Sequence, residues 1–483
     1  MTAADDGWRR LSPRMLLVHP VHEVLRQVPV LIGSVVLGSA TGSTGWPLAA
    51  LALTVGVGLG RWFTTAYRID DDTVTLRSGL VQRRVVAVPR NRIRSVTTDA
   101  RPLHRLLGLA VLSVSTGQEA AGDARFELDA VEAAATPRLR ALLLADDVPE
   151  AAAPVGEVLA QWTPGWLRYS PLSLSGLATV GAAVGLALQA GLGPALRDSA
   201  IADTGAAAAQ RFGPAAVATA AAVALLLVST ALAVLTSLLR YGNLLLRRDP
   251  GDRLYLRHGL LRVREHSFDM RRLRGGTLRE PLVVRAVGGA RLDAVMTGVG
   301  GEGESSLLLP PCPAGTARGV LGALIDSDEA ASGPLQSHGP AAARRRVTRA
   351  LALPVAAGVA LGVASGWLAV PGWAWAAVAV AVVAAALLAV DRIRALGHRV
   401  DTGWLVTRAG SVERRRDCLA TAGVIGWTVR QTWWQRRAGV ATLAAATAAG
   451  RKRYTVLDVP AEQAWAVAAA ASPWVARSRW ARP

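Results

Sequence analysis

Six apolar segments, arriving two at a time, constrain this chain more than any other feature. They run from Val28 to Ala40 and Trp46 to Phe63, from Leu174 to Leu192 and Pro214 to Leu239, and from Leu351 to Val370 and Trp373 to Val390. A helix needs about 20 apolar residues to cross a bilayer core, and most of these segments approach that length. The 483-residue chain is 51% hydrophobic and has a mean hydropathy of +0.31, which is more apolar than a soluble domain requires.

The linkers inside the pairs are uncharged or charge-balanced: TGSTG in the first, two Arg and two Asp in the second, Pro371-Gly372 in the third. Arginine gathers outside the pairs, at Arg9, Arg10, Arg14 and the run Arg344-Arg345-Arg346 among others. Cytoplasmic flanks of membrane helices carry such an excess. The pattern predicts three hairpins entering the membrane from the cytoplasm, with both termini inside. The formal charge is +19, almost all of it arginine, with Lys452 as the lone lysine. These charges are spread along the chain, which suits membrane flanks better than a nucleic-acid face. Cys312 and Cys418 lie far apart and form no CxxC, so no disulfide framework or zinc site is expected. The N-terminal residues have no apolar run leading to a small-residue cleavage site, so no signal peptide is expected.

Three polar stretches remain, and they open alike: YRIDDDTVTLRSG, LLLRRDPGDRLYLRHG and HRVDTGWLVTRAG. Alternation around Asp/Gly turns predicts a β-hairpin in each. The hairpins close at Gly79, Gly259 and Gly410, and a second glycine follows each after 29 residues, at Gly108, Gly288 and Gly439. Three residues before each second glycine stands an arginine, Arg105, Arg285 or Arg436. Two features at one spacing in three places define an internal repeat. It reaches upstream, where WRRLSP and WLRYSP precede the first two hairpins, and aromatic rings with arginine suit the headgroup region. Downstream, a short apolar strand (RFELDAV, SSLLLPP, RYTVLDVP) leads into an alanine-rich helix.

The order YRIDDDTVTLRSGL, VVAVPRNRIRSV, RPLHRLLGLAVLSV, closing strand and helix resembles the bacterial pleckstrin-homology-like (PH-like) domain of YdbS/YdbT-type membrane proteins. The second module keeps Gly259-Leu260, Pro281-Leu282, Arg285 and Gly288, but has SFDMRRLRG in place of VP-x-x-x-I. The third departs furthest, with Ser411 after its glycine and Trp433-Trp434 in place of Pro-Leu. The resemblance implies a membrane α plus β protein. It implies six transmembrane helices in three hairpins, each followed by a small cytoplasmic antiparallel β module with a C-terminal helix. The expected divisions are residues 1–65 (interfacial segment and hairpin), 66–150 (first module), 151–240 (second interfacial segment and hairpin), 241–330 (second module), 331–390 (linker and hairpin) and 391–483 (third module). A bacterial inner membrane is the implied location.

No catalytic constellation recurs, and no cofactor or metal is expected. GVGGEG at residues 298–303 spells a nucleotide-loop pattern, but the repeat puts it in a hairpin loop with a strand after it, not a helix. The six glycines are read as fold signatures. Arg105, Arg285 and Arg436 have two readings: satisfying loop carbonyls or module carboxylates, or binding a lipid phosphate or acidic partner. Arg451, Lys452 and Arg453 form a basic run in a module that carries 16 basic and 6 acidic residues from Asp391 onward, and are candidates for anionic lipid or an acidic protein. The function expected is non-catalytic: a scaffold or envelope-related sensor with membrane lipids and another protein as partners. A transporter or transport accessory is the second reading, with Gln189 its polar span residue, and a membrane-tethered nucleic-acid binder the third.

Overall fold

The computed structural model describes residues 64–115, 126–143, 156–173, 200–298 and 306–478 apart from short gaps, with parts of 8–14 and a few isolated positions. All of the first apolar pair but Gly56, and most of Leu174–Leu192, lie outside the described residues, as does Gly79. Contacts divide the chain into two compact units, Met1–Trp162 with Leu239–Arg271, and Thr163–Leu238 with Arg272–Pro483.

In the first unit, β1 (Arg9–Arg10), β2 (Ala66–Ile69), β3 (Thr73–Ser78) and β4 (Arg84–Pro89) form an antiparallel sheet in that order. Next come β5 (Ser95–Ala100), β6 (Leu109–Ser115), β7 (Phe126–Glu132), β8 (Glu157–Gln161), β9 (Leu245–Asp249), β10 (Arg253–His258) and β11 (Val263–Asp269). These seven make one sheet, ordered β7-β6-β5-β11-β10-β9-β8. The first module closes in two layers. Val74, Leu76 and Val88 of one sheet pack with Val96, Leu109, Leu112, Phe126 and Leu128 of the other, under Leu139 and Leu143 of the helix Thr136–Leu143. Alternating apolar residues on each strand supply that buried face.

In the second unit, β12 (Leu273–Pro281), β13 (Gly289–Met296), β14 (Leu307–Pro313), β15 (Gly397–Asp401), β16 (Trp404–Ala409) and β17 (Glu413–Ala420) form a sheet ordered β14-β13-β12-β17-β16-β15. A three-stranded sheet follows: β18 (Val424–Arg430), β19 (Val440–Thr447) and β20 (Arg453–Pro460). The helix Ala464–Ala471 covers it, and the third module's core includes Leu405, Leu419, Leu443, Tyr454, Val456 and Val467.

The repeat is visible in the backbone. Gly259 and Gly410 have φ of 104° and 102°, and Gly108, Gly288 and Gly439 have 69°, 76° and 68°. Side chains rarely adopt such angles. A Cβ at Gly259 or Gly410 would also strike a carbonyl oxygen, that of Arg262 or Glu413. Contact boundaries nevertheless fall elsewhere than the sequence modules do. The second module's strands split between β11 and β12, because each half completes a sheet with a neighbouring module. β5 pairs with β11, and β12 pairs with β17.

Three helices are long and apolar enough to cross a membrane: Pro214–Tyr241, Gly339–Ala364 and Gly372–Ala395. The charged linker of the second pair contains a further helix, Ala200–Phe212. Its alanines favour helix, Gly213 turns the chain with φ 88°, and Pro214 starts the next helix. The Gly339–Ala364 and Gly372–Ala395 helices carry arginines at one end (Arg344, Arg345, Arg346; Arg392, Arg394) and exposed Trp367, Trp373 and Trp375 around the other. Membrane helices carry basic residues on their cytoplasmic flanks and aromatic rings at the interfaces.

Candidate anion-binding site

Where β12 meets β17, the strand sequence ERRRD places Arg414 and Arg416 on one face and Arg415 on the other, since side chains alternate. Arg408 of β16 and Arg318 of the helix Ala314–Ile325 converge on the same place. These four guanidiniums, with Glu280, Leu278 and Ser332, line a polar cavity of about 170 Å³. A water occupies about 30 Å³, so a small hydrated anion has room.

Each arginine is held by groups at the cavity wall. Arg408 Nε and Nη2 donate to the carbonyls of Ala395 and Arg394, both at 3.0 Å, at the end of the Gly372–Ala395 helix. Arg416 donates to the carbonyls of Ala330 (3.0 Å) and Gly333 (2.9 Å), closing the short helix Asp328–Ser332. Arg318 pairs with Glu280 at 2.7 Å, and Arg414 pairs with Asp391 at 2.7 Å. One carboxylate in the lining faces four cations. Burial, then the charges of Arg414 and Arg416, hold Arg408 below the ordinary guanidinium value, and burial lowers Arg416 likewise. A phosphate in the cavity would relieve that repulsion through charge-assisted, bidentate bonds. The signal for the site in the sequence was the i, i+2 arginine pair in β17.

The residues singled out from the sequence lie elsewhere. Arg105 Nη1 donates to the carbonyl of Leu260 at 2.7 Å, and Arg285 pairs with Asp391 at 2.8 Å. Each reaches from one module to the residues that open or lead into the next. Arg436 is exposed and makes no side-chain hydrogen bond or ion pair among the described residues. Within the basic run, Arg451 pairs with Asp417 at 2.7 Å and lies over the Tyr454 ring. Lys452 takes a turn conformation with φ 62°, and Lys452 and Arg453 are exposed. The structure therefore joins Arg105 and Arg285 to module junctions and does not bring the six cations into one site. Cys312 and Cys418 are free and buried, their thiols pushed up to about 12 by burial.

Residues 24–147 and 350–472 match the family model described as Bacterial PH domain, together just over half of the chain. Each match takes in a pair of apolar segments and the β module after it. The chain belongs to the bacterial PH domain family. The match includes the third module, whose motif departs furthest, while the second falls outside it. No curated protein and no solved structure matches the chain.

Proposed function

We propose that this is a multi-pass bacterial inner-membrane protein of YdbS/YdbT type, with six spans in three hairpins and both termini cytoplasmic. Its PH-like modules, joined edge to edge, act as a non-catalytic scaffold at the inner leaflet. Its ligand is the phosphate of an anionic lipid headgroup, taken up by Arg318, Arg408, Arg414 and Arg416. The observation that carries this reading is the arginine cavity beside the last turn of an apolar helix. That end carries Arg392 and Arg394, and basic residues near an anionic leaflet each gain about 1 kcal/mol.

The test uses the full chain in nanodiscs of zwitterionic lipid. Short-chain phosphatidylglycerol is titrated in and retained lipid counted by native mass spectrometry. Arg318→Gln with Arg408→Gln is expected to lower retention about tenfold. Equal retention by the variant and the parent overturns the reading. Inorganic phosphate competing as well as the lipid would assign the cavity to a free anion instead.

A further inference from the structure

The two module junctions are built to one plan. Counting from the glycine that closes each opening hairpin, residue 21 of one module lies opposite residue 4 of the next. The pairs are Ala100 with Val263 at the first junction and Glu280 with Arg414 at the second. Five residues earlier, Ser95 meets Phe268 and Gly275 meets Leu419, so the register is identical throughout. Antiparallel pairing of this kind satisfies an edge that would otherwise be open.

Side chains lock both junctions at equivalent positions. At the first, Arg262 Nε donates to Asp99 Oδ1 at 2.7 Å. At the second, the charges are exchanged, and Arg279 pairs with Glu413 at 3.3 Å. Beyond the strand, Arg105 and Arg285 make the cross-module bonds described above. In addition, the Leu282 amide donates to the Val412 carbonyl at 2.7 Å.

The third module repeats the gripping half of this plan, and no further module pairs with it among the described residues. β18 corresponds to β5 and β12, and its outer edge pairs with no strand among the described residues. Arg430 stands where Asp99 and Arg279 stand, and Arg436 where Arg105 and Arg285 stand. Both are exposed, with no side-chain hydrogen bond or ion pair among the described residues. Around them Ile425, Trp433 and Trp434 are 71%, 62% and 69% exposed.

We infer that β18 is a docking edge for a partner protein. The occupant is an antiparallel strand of a PH-like module on another chain, with an Asp or Glu at the position of Glu413 to meet Arg430. Continuity with two built junctions supplies the register, and the exchanged ion pairs supply the charge rule. A second copy of this chain fits poorly. In the shared register its β4 would set Arg84 opposite Arg430. The position equivalent to Glu413 is the neutral Gln82, followed by Arg83. Arg279 already faces Arg415 across the second junction, so what a second copy lacks is the carboxylate that would meet Arg430.

The probe is a labelled peptide of residues 411–420, which carries Glu413, with Asp417→Cys and Cys418→Ser. It is offered to the full chain in detergent carrying Thr428→Cys, the position that the shared register sets opposite residue 417. Disulfide capture is expected to run about tenfold faster than with a peptide whose cysteine sits at Arg415 instead. Glu413→Arg in the peptide is expected to remove that advantage, and Arg430→Glu in the protein to restore it. Capture that ignores register or both charge reversals overturns the proposal. So does a chain with Thr428→Cys and Val86→Cys that crosslinks to its own copies as fast as to the peptide, since that would make the occupant a second copy. None of these readouts involves lipid, so they stand or fall apart from the arginine cavity.

Discussion

At the scale of residues, the most informative buried polar cluster lies where the third module meets the Gly339–Ala364 helix. Asp458, 1% exposed and at φ 54°, pairs with Arg345 at 2.8 Å and Arg346 at 2.7 Å and accepts from Gln435 Nε2 at 3.0 Å. Read as sequence, the run Arg344-Arg345-Arg346 is a membrane flank. Two of its three charges are committed to a carboxylate more than a hundred residues away, which no local pattern announces. Beside this cluster His338 and His398 are hydrogen-bonded at 2.9 Å, Nε2 to Nδ1. His338 Nδ1 donates to the Leu457 carbonyl, 2.8 Å away, so in the neutral pair its Nε2 accepts from His398 Nδ1. Burial, then the neighbouring ring, bring His398 down to about 4, and burial also lowers His338 against the pull of Asp458. The sign follows. The unfolded chain takes up these protons near pH 6.5, before the folded one does, so stability is full above that value and falls as pH drops toward 4. His398 accounts for about 3 kcal/mol across the window. A thermal midpoint measured in detergent between pH 7.5 and 4 should fall below pH 6.5, and His398→Gln should flatten that slope.

At the scale of elements, strands, hairpins and closing helices were legible in the sequence, because period-2 alternation and positive-φ glycines are local properties. What the glycine spacing did not reveal is the strand partner. A sequence repeat says that three modules share a plan and leaves open whether each closes its own sheets. The chain joins them instead, and the exchanged ion pairs provide the reason for the order. Asp99 matches Arg262 but would oppose Glu413, while Arg279 matches Glu413 but would oppose Arg262. The prediction is that charge at this one equivalent position selects which edges meet. Asp99→Arg should destabilise the first junction by about 2 kcal/mol, since it leaves two cations together at a partly buried pair. Arg262→Asp should do the same with two carboxylates. The double exchange should recover most of the loss, and a double-mutant cycle on thermal or denaturant midpoints measures the coupling directly. Additive single-site effects would mean that the pair plays no part in selecting the junction.

At the scale of the whole molecule, the hairpin-then-module unit that the sequence suggested coincides with what the family model matches twice. In the proposed topology, charge places the hairpins' linkers on the far side of the membrane. The described hairpin carries this asymmetry in full, with arginines at the ends that join the β modules and tryptophans around Pro371-Gly372. Moving one such hairpin the other way would drag Arg345, Arg346, Arg392 and Arg394 through hydrocarbon, at a cost of roughly 2.5–3.5 kcal/mol per central charge even on the mildest scale. It would also put a module on the wrong side of its neighbour, breaking a shared sheet such as β12 with β17. The junctions therefore tie the topology of one hairpin to the next, a constraint that charge counting alone does not contain. Reporter fusions at Gly42, Asp203 and Gly372 are expected to report outside, and fusions at Gly122, Gly303 and Arg451 inside. Reversing the flank with Arg344, Arg345 and Arg346 all changed to Glu should lower the amount of protein inserted without yielding a population whose third module alone faces outward. A stable chain with one module outside would rule out sheets continuous between modules, because no β ladder can cross the bilayer between them.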